Sequence, residues 1–480
     1  MTFLDDVAGR AISRRSLIKG AAALGAASAL PLPVLAQEVA TVTWWDVFQP
    51  LIPLHEKMWA EFAAANPGTV AYTGMNPSDM MQALQLANRS NQMPDVFNVP
   101  AGIDQVNVLQ ANGWFAPLSD SFTFDKPFQQ EVLAEGFTTF GGKLYSFPLF
   151  SFRQTSTSLW YFREGMTAAG LDAETGPQTW EDARSAADAA TKDGKYGIIL
   201  PLQFVDRMAA HLTDLAQSAG APGAIDWKTG EYAYASQPYI DALNFLLGFQ
   251  QDGSLHPASS SLDARQGRAR WAAGESLMFF DGPWNSGVLN NSFKDVIDGI
   301  DAVRVPYPAA AAANSFTYRG PQVGTFFLSA QSANVEMASQ VLQQLTSENY
   351  YVGLAERMDQ PPLDLSAVEK ANVHPAYRKM VSGYASYVRL APDPLIRNPQ
   401  VAQVYAEMKP VTPGLGEIIQ GAFSGAFSDP KPLLQQFADQ MTAERARAVE
   451  VAKAKGAAVS VDDWKFDAWV PGEDFTAEKY

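Results

Sequence analysis

Among residues able to do chemistry, His55-Glu56 is the first candidate, because it opens the HExxH pattern that sets two imidazoles on one helical face around zinc. The place of the second histidine is taken by Trp59, so the pattern fails. His211, His256 and His374 are too scattered for spacing to define a metal cluster. The chain has no cysteine, which excludes disulfides, thiolate metal ligands and thiol nucleophiles. Gly414-Leu415-Gly416 lacks the third glycine of a dinucleotide loop, and neither a phosphate loop nor a G-x-S-x-G elbow is present. The motifs therefore point to no cofactor, no metal and no catalytic residue. Acid pairs of the glycosidase kind stay open, because 51 carboxylates always offer pairs whose separation a sequence does not give.

What remains is a set of aromatic and polar side chains at strand ends and beside turns, suited to noncovalent recognition. Trp284 follows the turn Gly282-Pro283 at the end of an apolar strand. Trp44, Trp45 and Asp46 end the first strand, where open α/β sheets place their ligands. Adjacent strand residues face opposite ways, so one indole at most faces a cleft, and Trp45 with Asp46 is the preferred pair. Asp46 reads equally well as a cap. Asn98 closes a third strand, whereas Asp95 earlier in that motif reads as a structural cap. Ser151, Arg153 and Gln154 form a polar run, and Tyr318, Arg319 and Gln322 lead into a late strand. A buried solute hydroxyl left unpaired costs roughly 1–3 kcal/mol, so a selective cleft needs such groups. An arginine could instead hold a carboxylate or phosphate, and Arg153 fits an ion pair across a hinge equally well.

The elements that must position these groups alternate between strand and helix. Thr41–Trp45 reads as a strand, and Pro53 opens a helix striped by Leu54, Met58, Phe62 and Ala65. Thr69–Tyr72 is a second strand, a helix near 79–88 buries Met80, Leu84 and Ala87, and Met93–Val99 holds a third strand. Thr179 with Asp182 forms a capping box, Tyr196–Leu200 and Leu277–Phe280 are strands, and Val323–Ser329 is another. The stripe from Leu434 to Ala452 marks a long helix ended by Gly456, and Trp464, Phe466 and Trp469 should pack back on the body. This order predicts a mostly parallel sheet covered on both faces. At 480 residues, two domains are expected. Gly141 to Phe162 reads as strand, proline and strand, which is a way to cross from one lobe to another.

The N-terminus carries Ser13-Arg14-Arg15-Ser16-Leu17-Ile18-Lys19, an apolar segment from Gly20 to Leu35, and the small-residue site Val34-Leu35-Ala36. This is a twin-arginine export signal over residues 1–36, too short and too proline-interrupted for a membrane anchor. No cysteine follows it to take a lipid, so a soluble periplasmic chain is expected. The formal charge is −16, and removing the signal takes away four cationic and two acidic side chains, leaving about −18. Such a surface repels nucleic acid and anionic membrane.

Seven stretches together resemble the extracellular solute-binding protein family, in its sugar-binding branch serving ABC importers. They are Trp44-Trp45-Asp46, Met93-Pro94-Asp95-Val96, Gly113 to Leu118, Gly142 to Pro148, Pro177 to Asp182, Asp193 to Gly197, and Gly274 to Met278 continuing through Gly282-Pro283-Trp284. The likeness runs from about 40 to 350; beyond 355 it fades, and a glycine pair usual before the late strand stands here as Gly320-Pro321. The resemblance implies an α/β, two-lobed periplasmic binding protein fold with a ligand cleft between the lobes and a hinge. Lobe 1 would comprise 37–147 and 323–375, and lobe 2 would comprise 148–322 and 376–480. It implies a monomer that captures a carbohydrate or sugar-like polyol and delivers it to a membrane permease without chemistry. In that setting Trp284 would stack on a pyranose, with Trp45, Asp46, Asn98, Ser151, Arg153, Gln154, Tyr318, Arg319 and Gln322 around it. A secreted carbohydrate-active enzyme, or the same fold holding an anionic solute such as a sugar phosphate, stays open beside it.

Overall fold

The computed structural model describes residues 40–100, 103–426 and 429–480. The expected export signal lies outside them. Two sheets organise the described chain. In the first, Gly68–Gly74, Ala40–Asp46, Val96–Phe97, Phe327–Ser329 and Phe115–Ala116 lie side by side in that order. Ala40–Asp46 pairs in parallel with both of its neighbours, whereas Phe327–Ser329 is antiparallel to both of its own. In the second, the order is Ile300–Val303, Ser158–Phe162, Ser276–Asp281 and Tyr196–Ile199, and only the last pair is parallel. The expected mostly parallel sheet is thus corrected to two mixed ones. In the first sheet, Phe327–Ser329 returns from the far half of the chain and enters opposite to the strands already in place.

Each sheet has its own core. Val42, Trp44, Leu54, Trp59 and Phe62 meet Phe326, Leu328, Ala338 and Leu342 around the first. The helix expected at Pro53 spans Ile52–Ala65, but its buried face includes His55 and Trp59, while Met58 is half-buried and Ala65 exposed. The next helix, Pro77–Arg89, buries Met80, Leu84 and Ala87. Around the second sheet, Leu159, Tyr161, Ile198, Met278 and Phe280 join Leu212, Leu215, Leu243 and Leu246 on one face, and Trp160, Trp271 and Phe279 line the other. Being covered on both faces, Ser276–Asp281 is buried at every residue. Helix Trp180–Ala190 carries the capping box between Thr179 and Asp182.

The chain passes between the sheets in three adjacent segments. Gly141 and Gly142, with φ of 60° and 74°, turn the hairpin formed by Thr139–Phe140 and Lys143–Leu144. Beyond it, the Phe147 carbonyl accepts from Thr325 N (2.9 Å), the Leu149 carbonyl from Leu363 N (2.8 Å), and the Pro361 carbonyl from Ser151 N (2.8 Å). After that third pass, Ala367, Val368 and Tyr377 pack with the second sheet's core. The C-terminal region does not stay with one sheet. Helix Val401–Glu407 lies against helix Ile103–Ala111, while Phe137 shares a cluster with Val401, Val404, Ala448, Ala452 and Trp464. Phe466 and Trp469 pack with Tyr318, Ala391 and Phe475.

Candidate functional site

A cleft of about 390 Å³ is lined by residues from both sheets and from the crossing segments. Its first wall follows the first sheet's strand ends: Phe48, Gln49 and Pro50 after Ala40–Asp46, and Asn98, Val99 and Pro100 after Val96–Phe97. Its second wall comprises Phe204 and Arg207, Arg265 and Arg268, and Trp284, with Asp206 beside them. Phe150, Gln322, Thr325, Asp359 and Gln360 form the floor.

The first wall is fixed from behind by Asp46, which is fully buried. One of its oxygens accepts from Phe48 N (3.1 Å) and the Tyr72 hydroxyl (2.8 Å). The other accepts from Trp44 Nε1 (3.2 Å) and faces His55 Nδ1 at 3.1 Å, while His55 Nε2 meets the Tyr350 hydroxyl at 3.2 Å. Burial, followed by the neighbouring Asp46, pushes the Tyr72 phenol far above its ordinary range and keeps it a donor. Asn98 is buried, and among the described residues its side-chain oxygen has no partner. An orphan acceptor of this kind costs about 1–3 kcal/mol unless something donates to it.

The second wall is organised by Asp281, at the end of its buried strand. Its Oδ2 accepts from Arg268 Nε (2.8 Å) and Nη2 (2.6 Å). Its Oδ1 accepts from Arg207 Nη1 (3.0 Å), Gly282 N (3.0 Å) and Trp284 Nε1 (2.6 Å). Helices Val205–Ser218 and Ala264–Ala272 deliver the two arginines. The Arg207 guanidinium lies 4.5 Å from the centre of the Trp284 ring and 5.5 Å from that of Phe204. Burial pulls the Arg207 pKa down, Asp281 opposes that pull, and Arg268 adds to it. The Trp284 ring also needs Gly282: a Cβ there would fall 2.2–2.4 Å from three of its carbons. On the floor, burial pushes Asp359 up to about 7; the Gln360 N–H bond opposes this, Asp46 and Asp281 add to it, and Arg268 reduces it.

Of the residues singled out in the sequence, the cleft brings Asn98, Trp284 and Gln322 together. Gln154 stands one layer back, donating from Nε2 to the Gln360 side-chain oxygen (2.9 Å). The others lie outside the lining. Trp45 packs against the cluster of Phe97, Phe115 and Met80, and Asp46 serves the network above. Ser151 accepts from Arg153 N (3.2 Å) within the crossing. Arg153 pairs with Asp474 (2.7 Å) and donates to the Val388 carbonyl (2.6 Å). The Tyr318 hydroxyl accepts from Gly472 N (2.9 Å), and Arg319 pairs with Asp214 while donating to Gln217 (3.0 Å). Sequence reasoning missed Arg207, Arg265, Arg268, Asp359 and Gln360. The available signal was Arg265 and Arg268, three apart on one helical face behind the cap Asp263.

Among the described residues, no group of three or more His, Asp or Glu could hold a metal ion, and no helix is long and apolar enough to cross a membrane. None of the curated protein sequences compared with this chain matches it. Its fold is similar to that of an ABC transporter solute-binding protein from Thermotoga lettingae bound with α-D-tagatose, at TM-score 0.67 and 16% identity over 85% of this chain and 100% of that one. It is also similar to the maltotriose-binding protein of Thermus thermophilus bound with maltotriose, at 0.62 and 18% over 86% and 100%. A solute-binding protein from Agrobacterium radiobacter in complex with ribitol matches at 0.59 and 15% over 84% and 98%. The two sheets and their crossing segments are thus those of the two-lobed solute-binding fold. Residues 11–31 match the twin-arginine translocation signal, so the chain is exported by that pathway. Residues 51–351, more than half the chain, match the model of the bacterial extracellular solute-binding proteins, and the chain belongs to that family.

Proposed function

We propose that this protein is the periplasmic solute-binding component of an ABC importer. It captures a sugar or polyol in the cleft between the two walls and presents the closed form to a membrane permease, doing no covalent chemistry. The observation that carries this reading is the composition of the cleft. The cleft combines the aromatic side chains of Phe48, Phe150 and Trp284 with the polar ends of Asn98, Gln322 and Gln360, which suits a ring with hydroxyls. The orphan oxygen of Asn98 is where a solute hydroxyl would donate. A volume of about 390 Å³ favours a monosaccharide or a short chain. The fold neighbours were solved with tagatose, ribitol and maltotriose, which supports the same class.

In this reading the lobes follow the cores, and the packing of Ala367, Val368 and Ala371 with the second sheet supports a boundary near 362 over the expected 375. A thermal-shift panel of sugars and polyols tests the reading, since a ligand that binds only the folded state raises its Tm. At least one member should raise it by several degrees. Turnover of a glycan at catalytic protein concentration would instead establish an enzyme.

A further inference from the structure

The second wall holds more positive charge than its partners balance. Arg207 and Arg268 share one carboxylate, Asp281. Arg265, half-buried between them and the first wall, makes no ion pair among the described residues; its one recorded bond runs from Nη2 to the Met75 carbonyl. Burial pulls the Arg265 pKa down and Arg268 adds to that pull, while Asp263 and Asp79, neither of them bonded to it, oppose it. Asp206 is exposed, and Asp359 holds its proton far more tightly than an ordinary aspartate. This cationic wall occurs in a chain of formal charge −16, so it is a local feature and not a reflection of the whole. The Arg207 guanidinium also covers part of Trp284, so on that side a solute meets a charged, planar donor where a bare indole would have offered stacking.

Resting on the reading of the cleft as a sugar site, we infer that the solute carries an acid group, a carboxylate or a phosphate on a sugar, held against Arg207 and Arg265. Arg268, which already makes two bonds to Asp281, is a positioning residue. An acid group would supply the second anion that this wall lacks, and guanidinium forks match the oxygens of either group. The arginines that first suggested an anionic solute, Arg153 and Arg319, are each taken by their own carboxylate outside the cleft.

The test is isothermal titration of the exported chain with matched trios: glucose, glucuronate and glucose 6-phosphate, and the galactose equivalents. One acid member should bind roughly thirtyfold or more tightly than its neutral parent. Raising the salt to about 0.5 M should weaken that member alone. Arg265→Gln should weaken it about tenfold, whereas Arg153→Gln should leave it unchanged. The carboxylate and phosphate arms separate the two sources of the acid. A neutral parent that binds as tightly as its acids overturns the inference and leaves the sugar reading standing. If neither these trios nor the wider sugar and polyol panel bind, both fall. Should Arg265→Gln fail to fold, the comparison of acid with neutral parent on the unaltered protein still decides.

Discussion

The two walls of the cleft solve the same problem in opposite ways. Each is set by a buried aspartate at the end of a strand, Asp46 in the first sheet and Asp281 in the second. Asp46 turns inward, collecting an indole, a phenol and a backbone amide, with the His55 ring beside it, and among the described residues its wall lines the cleft with uncharged groups. Asp281 gathers two guanidiniums and an indole that are themselves the lining. One aspartate shapes its wall from behind, and the other holds its wall up front. Replacing either damages the cleft, but for different reasons.

The largest expected effect is at Asp281. Asp281→Asn leaves two largely buried guanidiniums without their carboxylate, which should destabilise the fold by about 3–5 kcal/mol in urea unfolding and abolish solute binding. Asp46→Asn keeps the shape but replaces one of the two accepting oxygens with an NH2 donor, so its cost should be about 1–3 kcal/mol with binding retained but weakened. Equal losses in the two variants would erase the contrast between the walls.

A smaller effect sharpens it at the floor. The folded Asp359 carries its proton up to about pH 7, whereas the unfolded chain releases it near 3.8. Between those limits the folded state binds more protons, so this group makes stability fall as pH rises, with no further change well above 7. Asp393, raised by burial to about 7 as well, acts in the same direction. Asp359→Asn should therefore flatten part of the decline in Tm between pH 5 and 8 and raise Tm at pH 8, read by calorimetry at several pH values. A steeper decline would contradict the assignment.

Next comes Trp284→Ala, which removes the ring that carries Arg207. A loss of roughly tenfold in affinity with a minor change in Tm is expected from titration and thermal melts. The smallest effect belongs to the pair Arg153–Asp474, about a quarter to a third exposed, where Arg153→Gln should cost under about 1 kcal/mol.

That last prediction bears on what a sequence can show. Local grammar was legible: the Thr179–Asp182 box, the inward face of Met80, Leu84 and Ala87, and the buried strand before Trp284 all depend on neighbours a few residues away. Strand direction was not, because Phe327–Ser329 finds its neighbours only after the chain has left the first sheet and returned. The partners of arginines were equally hidden. Arg153 meets a carboxylate 321 residues on, Arg319 one 105 residues back, and Arg207 one 74 residues on. A guanidinium looks the same in sequence whether its carboxylate ties it away from a cleft or presents it there. Trp284 and Asn98 could be placed near a cleft because a strand end is a local signal; Asp359 and Gln360 fall in the stretch where the family likeness had faded.

The helix Val401–Glu407 that rests on Ile103–Ala111 changes how the lobes can swing. Three neighbouring crossing segments alone would form a ball joint, free to twist as well as bend. A further attachment, formed by Phe137, Val401, Val404 and Trp464 with Val323 of the crossing packed against them, widens the joint from a point towards a line. Any closure that keeps both attachments is confined to rotation about that line, as a door hung on two pins can open but cannot tilt.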